Sequence, residues 1–183
     1  MRRYWFPKRY ADTVARLRVP SGFLLVATFA LLSHPTSFSL VIGLPVSVLG
    51  LVVRAWAAGH LAKNQKLAQS GPYAYTRNPL YIGTLLTASG LVIAGRSWAL
   101  AAIFGAVFVF IYLPVIELEE QHLRKLFPEY DAYAHRVPVL MPRFGNPRGT
   151  SRFTTGLYMK NQEYQALAGF LVGAAFLVWK CFH

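Results

Sequence analysis

A polar, basic loop runs into a long apolar segment at Gly71-Pro72-Tyr73-Ala74-Tyr75-Thr76-Arg77-Asn78-Pro79-Leu80-Tyr81-Ile82-Gly83. Asn78 suits a helix N-cap, because its side chain can accept a backbone N–H. Pro79 suits the first helical position, where a missing N–H costs nothing. A helix is therefore expected to start here. Its exposed amides and the positive end of its dipole make a ready site for an anionic group. Further along, Glu117-Leu118-Glu119-Glu120 closes another apolar segment. Carboxylates there can accept hydrogen bonds from hydroxyl or amino groups. Adjacent glutamates on a helix point about 100° apart, so one can face a pocket while the other pairs with Arg124. The two stretches read as the halves of a cofactor site.

The elements that position them follow from composition. Of 183 residues, 55% are hydrophobic and 14% charged. The apolar residues fall into several long runs, as in a polytopic membrane protein. The net charge of +12 sits in a few segments between those runs, as the positive-inside rule expects. No stacking or base-reading motif accompanies it, so nucleic acid is not an expected partner. The single cysteine, Cys181, excludes an internal disulfide and a multi-cysteine metal site. It does not match a four-residue prenylation box. No metal site is expected.

Residues 1–19 are basic and aromatic, with Arg2, Arg3, Lys8, Arg9, Arg16 and Arg18 among Tyr4, Trp5, Phe6 and Tyr10. They read as an interfacial segment, either a topological anchor or the lining of a lipid access path. A signal peptide is not expected. Five apolar runs follow: Pro20–Ser33, Phe38–Ala58, Pro79–Gly95, Trp98–Ile116 and Gln165–Phe182. The first spans only about 21 Å at 1.5 Å per residue and needs snorkelling by Arg16 and Arg18. Pro45 is expected to kink the second. Arg54, in that run's last turns, either snorkels or lines a cavity. Gly83, Ala88, Ser89 and Gly90 let the third run approach a neighbour closely, and Gly169 with Gly173 do the same for the fifth. Gly95-Arg96-Ser97 is a tight turn, so runs three and four form an antiparallel hairpin. That hairpin returns Glu117–Glu120 to the membrane face where Asn78 starts its helix.

After run four, Glu117–Phe127 should extend the helix into water, with Glu120–Arg124 spaced for an ion pair. Glu129–Pro138 reads as a short amphipathic helix with interfacial tyrosines. Residues 139–155 read as loop. Basic residues place the N-terminus inside, five crossings, and the C-terminus outside. The fold class expected is an all-α, polytopic integral membrane bundle of about five transmembrane helices with a cytoplasmic interfacial region. It forms a single membrane domain.

Taken singly, each polar element has a plainer role: a helix cap, a solvated helix end, interfacial anchors. There is no nucleophile elbow, P-loop, HExxH or Rossmann pattern. A resemblance adds to this reading. Gly71-Pro72-Tyr73-Ala74-Tyr75, Arg77-Asn78-Pro79-Leu80-Tyr81, Gly83, Glu119-Glu120, Leu123, Phe127-Pro128, Tyr130, Tyr133 and Arg136-Val137-Pro138 resemble the isoprenylcysteine carboxyl methyltransferase family. The related phospholipid N-methyltransferases share part of the pattern, and the likeness spans residues 50–143.

The resemblance implies an integral membrane enzyme using S-adenosylmethionine. It implies a cofactor pocket closed by Tyr73, Asn78, Pro79, Leu80 and Tyr81, with Glu119 and Glu120 opposite. Lys63, Gln65, Lys66, Leu67 and Ala68 would border it. Asn78 stands where eukaryotic members carry histidine. Val115 stands where they carry a substrate-binding arginine, which leaves carboxylate and amine acceptors both open. The fifth run has no counterpart in the resemblance. The expected partner is a lipophilic membrane-dissolved molecule or lipid. A sterol-type reductase using NAD(P)H and a non-catalytic membrane scaffold are the alternatives.

Overall fold

The computed structural model describes residues 5–143 and 152–183, without the side chains of Lys8 and Arg18. Arg2, Arg3 and Tyr4 of the basic segment, the Arg18 side chain, and residues 144–151 of the expected loop thus lie outside the described residues. The elements are α1 Lys8–Leu32, α2 Ser37–Ala58, α3 Pro79–Gly95, α4 Trp98–Val107, α5 Leu113–Leu126, α6 Tyr130–Arg136, α7 Thr155–Lys160 and α8 Tyr164–Phe182. A short 3-10 turn, Gly71–Ala74, precedes α3, and a π-helical stretch, Phe108–Tyr112, joins α4 to α5. Among the described residues there is no strand. The chain folds as an all-α membrane bundle.

All five apolar runs are helical. Among the described residues, α2, the continuous Trp98–Leu126 helix and α8 are long and apolar enough to cross a membrane. A fourth is α1, if its arms Arg9–Leu17 and Val19–Leu32, bent by 50°, form one span. The bend sits just before Pro20, whose ring displaces the carbonyl four residues earlier. Residues 8–17 of the basic segment thus form the first arm of α1. At 17 residues, α3 is the short member, about 25 Å at 1.5 Å per residue.

Caps fix the ends. The Thr36 hydroxyl accepts from Ser39 N and the Ser39 hydroxyl accepts from Thr36 N, a reciprocal box that starts α2. Arg96 takes a left-handed conformation (φ 49°) and closes the tight turn after α3. The Ser97 hydroxyl accepts from Leu100 N to start α4.

The partner chosen by α3 differs from the expected hairpin. It touches α4 near their turn but packs along the length of α2. Small and hydroxyl residues recur at helical spacing on both. Ser39, Gly43, Ser47 and Gly50 of α2 face Ala94, Gly90, Thr87 and Gly83 of α3. The Ser39 hydroxyl donates to Ala94 O (2.8 Å) and the Ser47 hydroxyl to Thr87 O (2.8 Å). A Cβ on Gly43 would collide with Gly90 O and with Ala94. In lipid, where apolar surface alone gives helices no reason to associate, such backbone approach supplies the contact. On α8, Phe170 and Leu177 are buried, and Leu177 joins Leu40 and Ala94 in a cluster. The Gly169–Gly173 pair makes no close helix contact: Gly169 has nothing within 4 Å and Gly173 only meets the Phe29 ring.

Gly43→Ala should therefore lower stability by about 1–3 kcal/mol, the usual cost of overpacking. Gly22→Ala is the control, since nothing lies within 4 Å of that position. Thermal unfolding in detergent compares the two.

Candidate functional site

Near the start of α3 lies a cleft of about 870 Å³, within the range of small-molecule sites. Its walls come from the end of α2, the 61–68 loop, the 3-10 turn, the start of α3, the π stretch with α5, and α6. Lys63, Lys66, Leu67 and Ala68 line it from the loop, and Tyr73 lines it from the turn. Asn78, Pro79, Leu80 and Tyr81 contribute the start of α3, and Glu119 the α5 side. Gln65 and Glu120 are not among its walls. Gln65 is exposed, and Glu120 is turned toward Arg77 and Asn78.

The two halves meet directly. The Tyr81 hydroxyl donates to Glu119 Oε1 at 2.9 Å. Tyr81 also lies edge-on to Tyr112 (6.1 Å between ring centres), which stacks on Phe108 (6.1 Å). A π turn shifts the register of the residues after it, and here Tyr112 ends on the cleft wall.

Asn78 occupies the cap position of α3, but its side chain makes no capping bond. Its amide donates instead to Val139 O (3.1 Å) and Glu120 Oε1 (3.4 Å). The expected pairing of Glu120 with Arg124 is likewise replaced. Glu120 lies 3.3 Å from Arg77 Nε, and Arg124 reaches Asp131 at 2.7 Å. The reason is burial. The Arg77 side chain is only 7% exposed, and a buried cation needs a compensating charge more than an exposed one does. Arg77 Nη1 has no hydrogen-bond partner among the described residues.

Segment 128–143 clamps the loop before α3. Arg77 N donates to Pro138 O (2.9 Å), Arg143 N to Tyr75 O (3.0 Å), and the Thr76 hydroxyl to Val139 O (3.1 Å). The Tyr133 hydroxyl donates to Tyr73 O (2.8 Å). The α6 tyrosines are therefore not interfacial. Tyr130 and Tyr133 are buried with Leu67, Ala134 and Val137. Glu163, Tyr112 and Asn161 were missed from the sequence as site residues, whereas cavity lining was one of the two readings of Arg54. Arg54 lines the cleft and holds Glu163 through two hydrogen bonds of 2.9 and 2.8 Å, so its cavity role is the one realised. Tyr112 and Asn161 also line the cleft.

A family model described as phospholipid methyltransferase matches residues 38–130, half of the chain. The chain belongs to that family. It is 39% identical over 108 residues to the cobalt-zinc-cadmium resistance protein CzcN of Cupriavidus metallidurans, covering 58% of this chain and 50% of that protein. It is 33% identical over 126 residues to the nickel-cobalt-cadmium resistance protein NccN of Alcaligenes xylosoxydans xylosoxydans, covering 67% of this chain and 59% of that protein. The matches thus span between half and three fifths of the length of these relatives. No solved structure matches the chain significantly. The family match covers α2 to α5 and ends at Tyr130. Tyr133, Asn161 and Glu163 on the cleft wall lie beyond it.

Burial pushes the phenol of Tyr73 well above its ordinary range, with Glu163 and then Glu119 adding to the shift and Arg54 opposing it. Burial raises Tyr130 and Tyr133 likewise. Beyond burial, Glu120 adds most at Tyr130, and Tyr130 itself adds most at Tyr133. These phenols stay protonated in the fold while the unfolded chain ionises near pH 10. Their contribution to stability is complete below about pH 10 and is lost as pH rises above it. Tyr133→Phe should cost about 1–2 kcal/mol at neutral pH by stranding Tyr73 O, and should flatten the alkaline fall. Unfolding measured from pH 8 to 11 checks both.

Proposed function

We propose that this chain transfers a methyl group from S-adenosylmethionine to a lipophilic acceptor dissolved in the membrane, in the cleft at the start of α3. The observation that carries this reading is the Tyr81–Glu119 bond. It joins the two polar stretches across one cleft, inside the family-matched residues. The donor set fits the cofactor. Arg77 Nη1, buried and without a hydrogen-bond partner among the described residues, stands beside an α3 start whose cap side chain points elsewhere. Both suit a carboxylate. Glu119 suits ribose hydroxyls or an amino group. Lys63 and Lys66 stand at the outer edge of the cleft, and the loop apolar side chains Leu67 and Ala68 offer a surface to the base.

S-adenosylmethionine supplies a methyl group already activated on a sulfonium, so the protein's share is positioning and exclusion of water. Tyr112 and Tyr81 form an aromatic wall that shields the cleft. A carboxylate acceptor is ionised at neutral pH and needs no base. An amine acceptor must shed a proton, and Glu119 on the cleft wall is placed to take one. The amine is the better match. Val115, buried on the cleft wall, provides no cation for a carboxylate, and Arg54 is already held by Glu163. On this reading the cleft faces the cytoplasm, where the basic segments are.

The names of the two relatives associate them with metal resistance. Among the described residues, the carboxylates around this cleft are engaged by arginines and a tyrosine. A methylated membrane component is how this reading accommodates that association.

Calorimetry of the purified protein with S-adenosylhomocysteine should show binding. Glu119→Gln and Tyr81→Phe should each weaken it about tenfold, the worth of one charge-assisted hydrogen bond. Absence of heat from folded wild-type protein would sink the proposal. A thermal shift with NADPH and none with S-adenosylhomocysteine would favour a reductase instead.

A further inference from the structure

The C-terminal segment lies outside the family-matched residues, yet it reaches the cleft at two points. Asn161 Nδ2 donates to Ala58 O (3.0 Å) and Leu61 O (2.9 Å). It thereby ties the end of α2 to the first residue of the 61–68 loop. Two residues on, at the start of α8, Glu163 grips Arg54 with both carboxylate oxygens. Its side chain is 9% exposed. The far side of the Arg54 guanidinium donates to the Thr84 hydroxyl and, at 3.5 Å, to Leu80 O. Both acceptors lie in the first two turns of α3. Gly83 makes this possible, because a Cβ there would strike the Arg54 stem. Phe153 covers Gly59 and Thr154 N donates to Gly59 O (2.9 Å), so the segment is docked on α2 before it enters the cleft.

We propose that Asn161 and Glu163 are positioning residues for the cofactor half of the cleft. The inference rests on the methyltransferase reading above. Asn161 fixes the root of the loop that carries Lys63, Lys66, Leu67 and Ala68. Glu163 aims Arg54 at the opening turns of α3, which carry Asn78, Leu80 and Tyr81. The two walls that would hold the cofactor are therefore set by a part of the chain that the family pattern does not include. Without Glu163, Arg54 becomes an uncompensated cation in a mostly apolar wall and leaves Leu80 O and Thr84 for solvent or another anion. The α3 start then loses its lateral brace. The fifth apolar run acts on this account as the carrier of a brace as well as a membrane anchor.

The test uses the full chain in detergent, with S-adenosylhomocysteine binding by calorimetry and thermal unfolding measured side by side. Glu163→Gln should weaken binding about tenfold, and Asn161→Ala several-fold. The double variant Arg54→Glu with Glu163→Arg restores an ion pair but puts an acceptor where a donor must meet Leu80 O. It should recover the melting temperature without recovering binding. Wild-type affinity in Glu163→Gln overturns the proposal. So does a double variant that recovers melting temperature and binding together, because the pair would then be structural only. No binding by the wild type overturns the methyltransferase reading and this inference with it.

Discussion

The close approach of α2 and α3 is the constraint on which the rest depends. Two helices in lipid gain little from bringing apolar side chains together, because the lipid is equally apolar. What remains is dispersion at short range and hydrogen bonds to backbone carbonyls that only a near-touching helix can reach. Gly43 against Gly90, with Ser39 and Ser47 donating across, meets both conditions. The consequence at the polar end is geometric. With the axes this close, Arg54 lies beside Gly83 and its guanidinium arrives at the first turns of α3. A bulkier seam would leave that cation in lipid with no carbonyl or hydroxyl to meet.

Beyond the seam, the loop from Tyr73 to Asn78 has polar backbone groups that no helix satisfies. Tyr133, Pro138 and Arg143 take up Tyr73 O, Arg77 N and Tyr75 O, and Val139 O receives the Thr76 hydroxyl and the Asn78 side-chain amide. This explains why α6, a helix of seven residues, is buried on its tyrosine face. It exists to hold a loop in place, and Leu67 of the next loop packs into the same cluster. The loop before α3 is thus pinned from one side by hydrogen bonds while its other side opens to the cleft.

Local signals read well from sequence. The third run begins and ends as Pro79 and Gly95 predict, and the turn at Arg96 has the left-handed backbone such a tight connection requires. The convergence of Tyr81 and Glu119 followed from counting runs between short turns. Pairing choices were less legible, for physical reasons. Glu120 with Arg124 satisfies the helical spacing rule, but an exposed pair of that kind is worth little, and the buried Arg77 outcompetes it. Run three followed by run four across a tight turn looked like the main hairpin, yet matched small-residue spacing on α2 decided the partner. Glu163 carried a faint signal: an arginine inside an apolar run must find a carboxylate, and the chain has only seven acids. Spacing could not say which, because the partner lies on a segment far along the chain.

That scarcity of acid groups organises the charge of the whole molecule. The chain carries 19 lysines and arginines against those seven. Glu119 lines the cleft, Glu163 lines it beside Arg54, and Glu120 backs it through Arg77 and Asn78. Glu117 receives the amides of Trp5 and Phe6, and Asp131 takes Arg124. Most of the negative charge is therefore spent at one end of the bundle, each carboxylate engaged by a named donor. Much of the positive excess stays in segments between the apolar runs. The +12 net charge thus says little about the cleft itself. There the cations Arg54 and Arg77 are each matched to one carboxylate, and Arg77 keeps a donor, Nη1, with no hydrogen-bond partner among the described residues. With Lys63 and Lys66 at the same cleft and Glu119 on its α5 side, the wall offers a ligand groups of both signs.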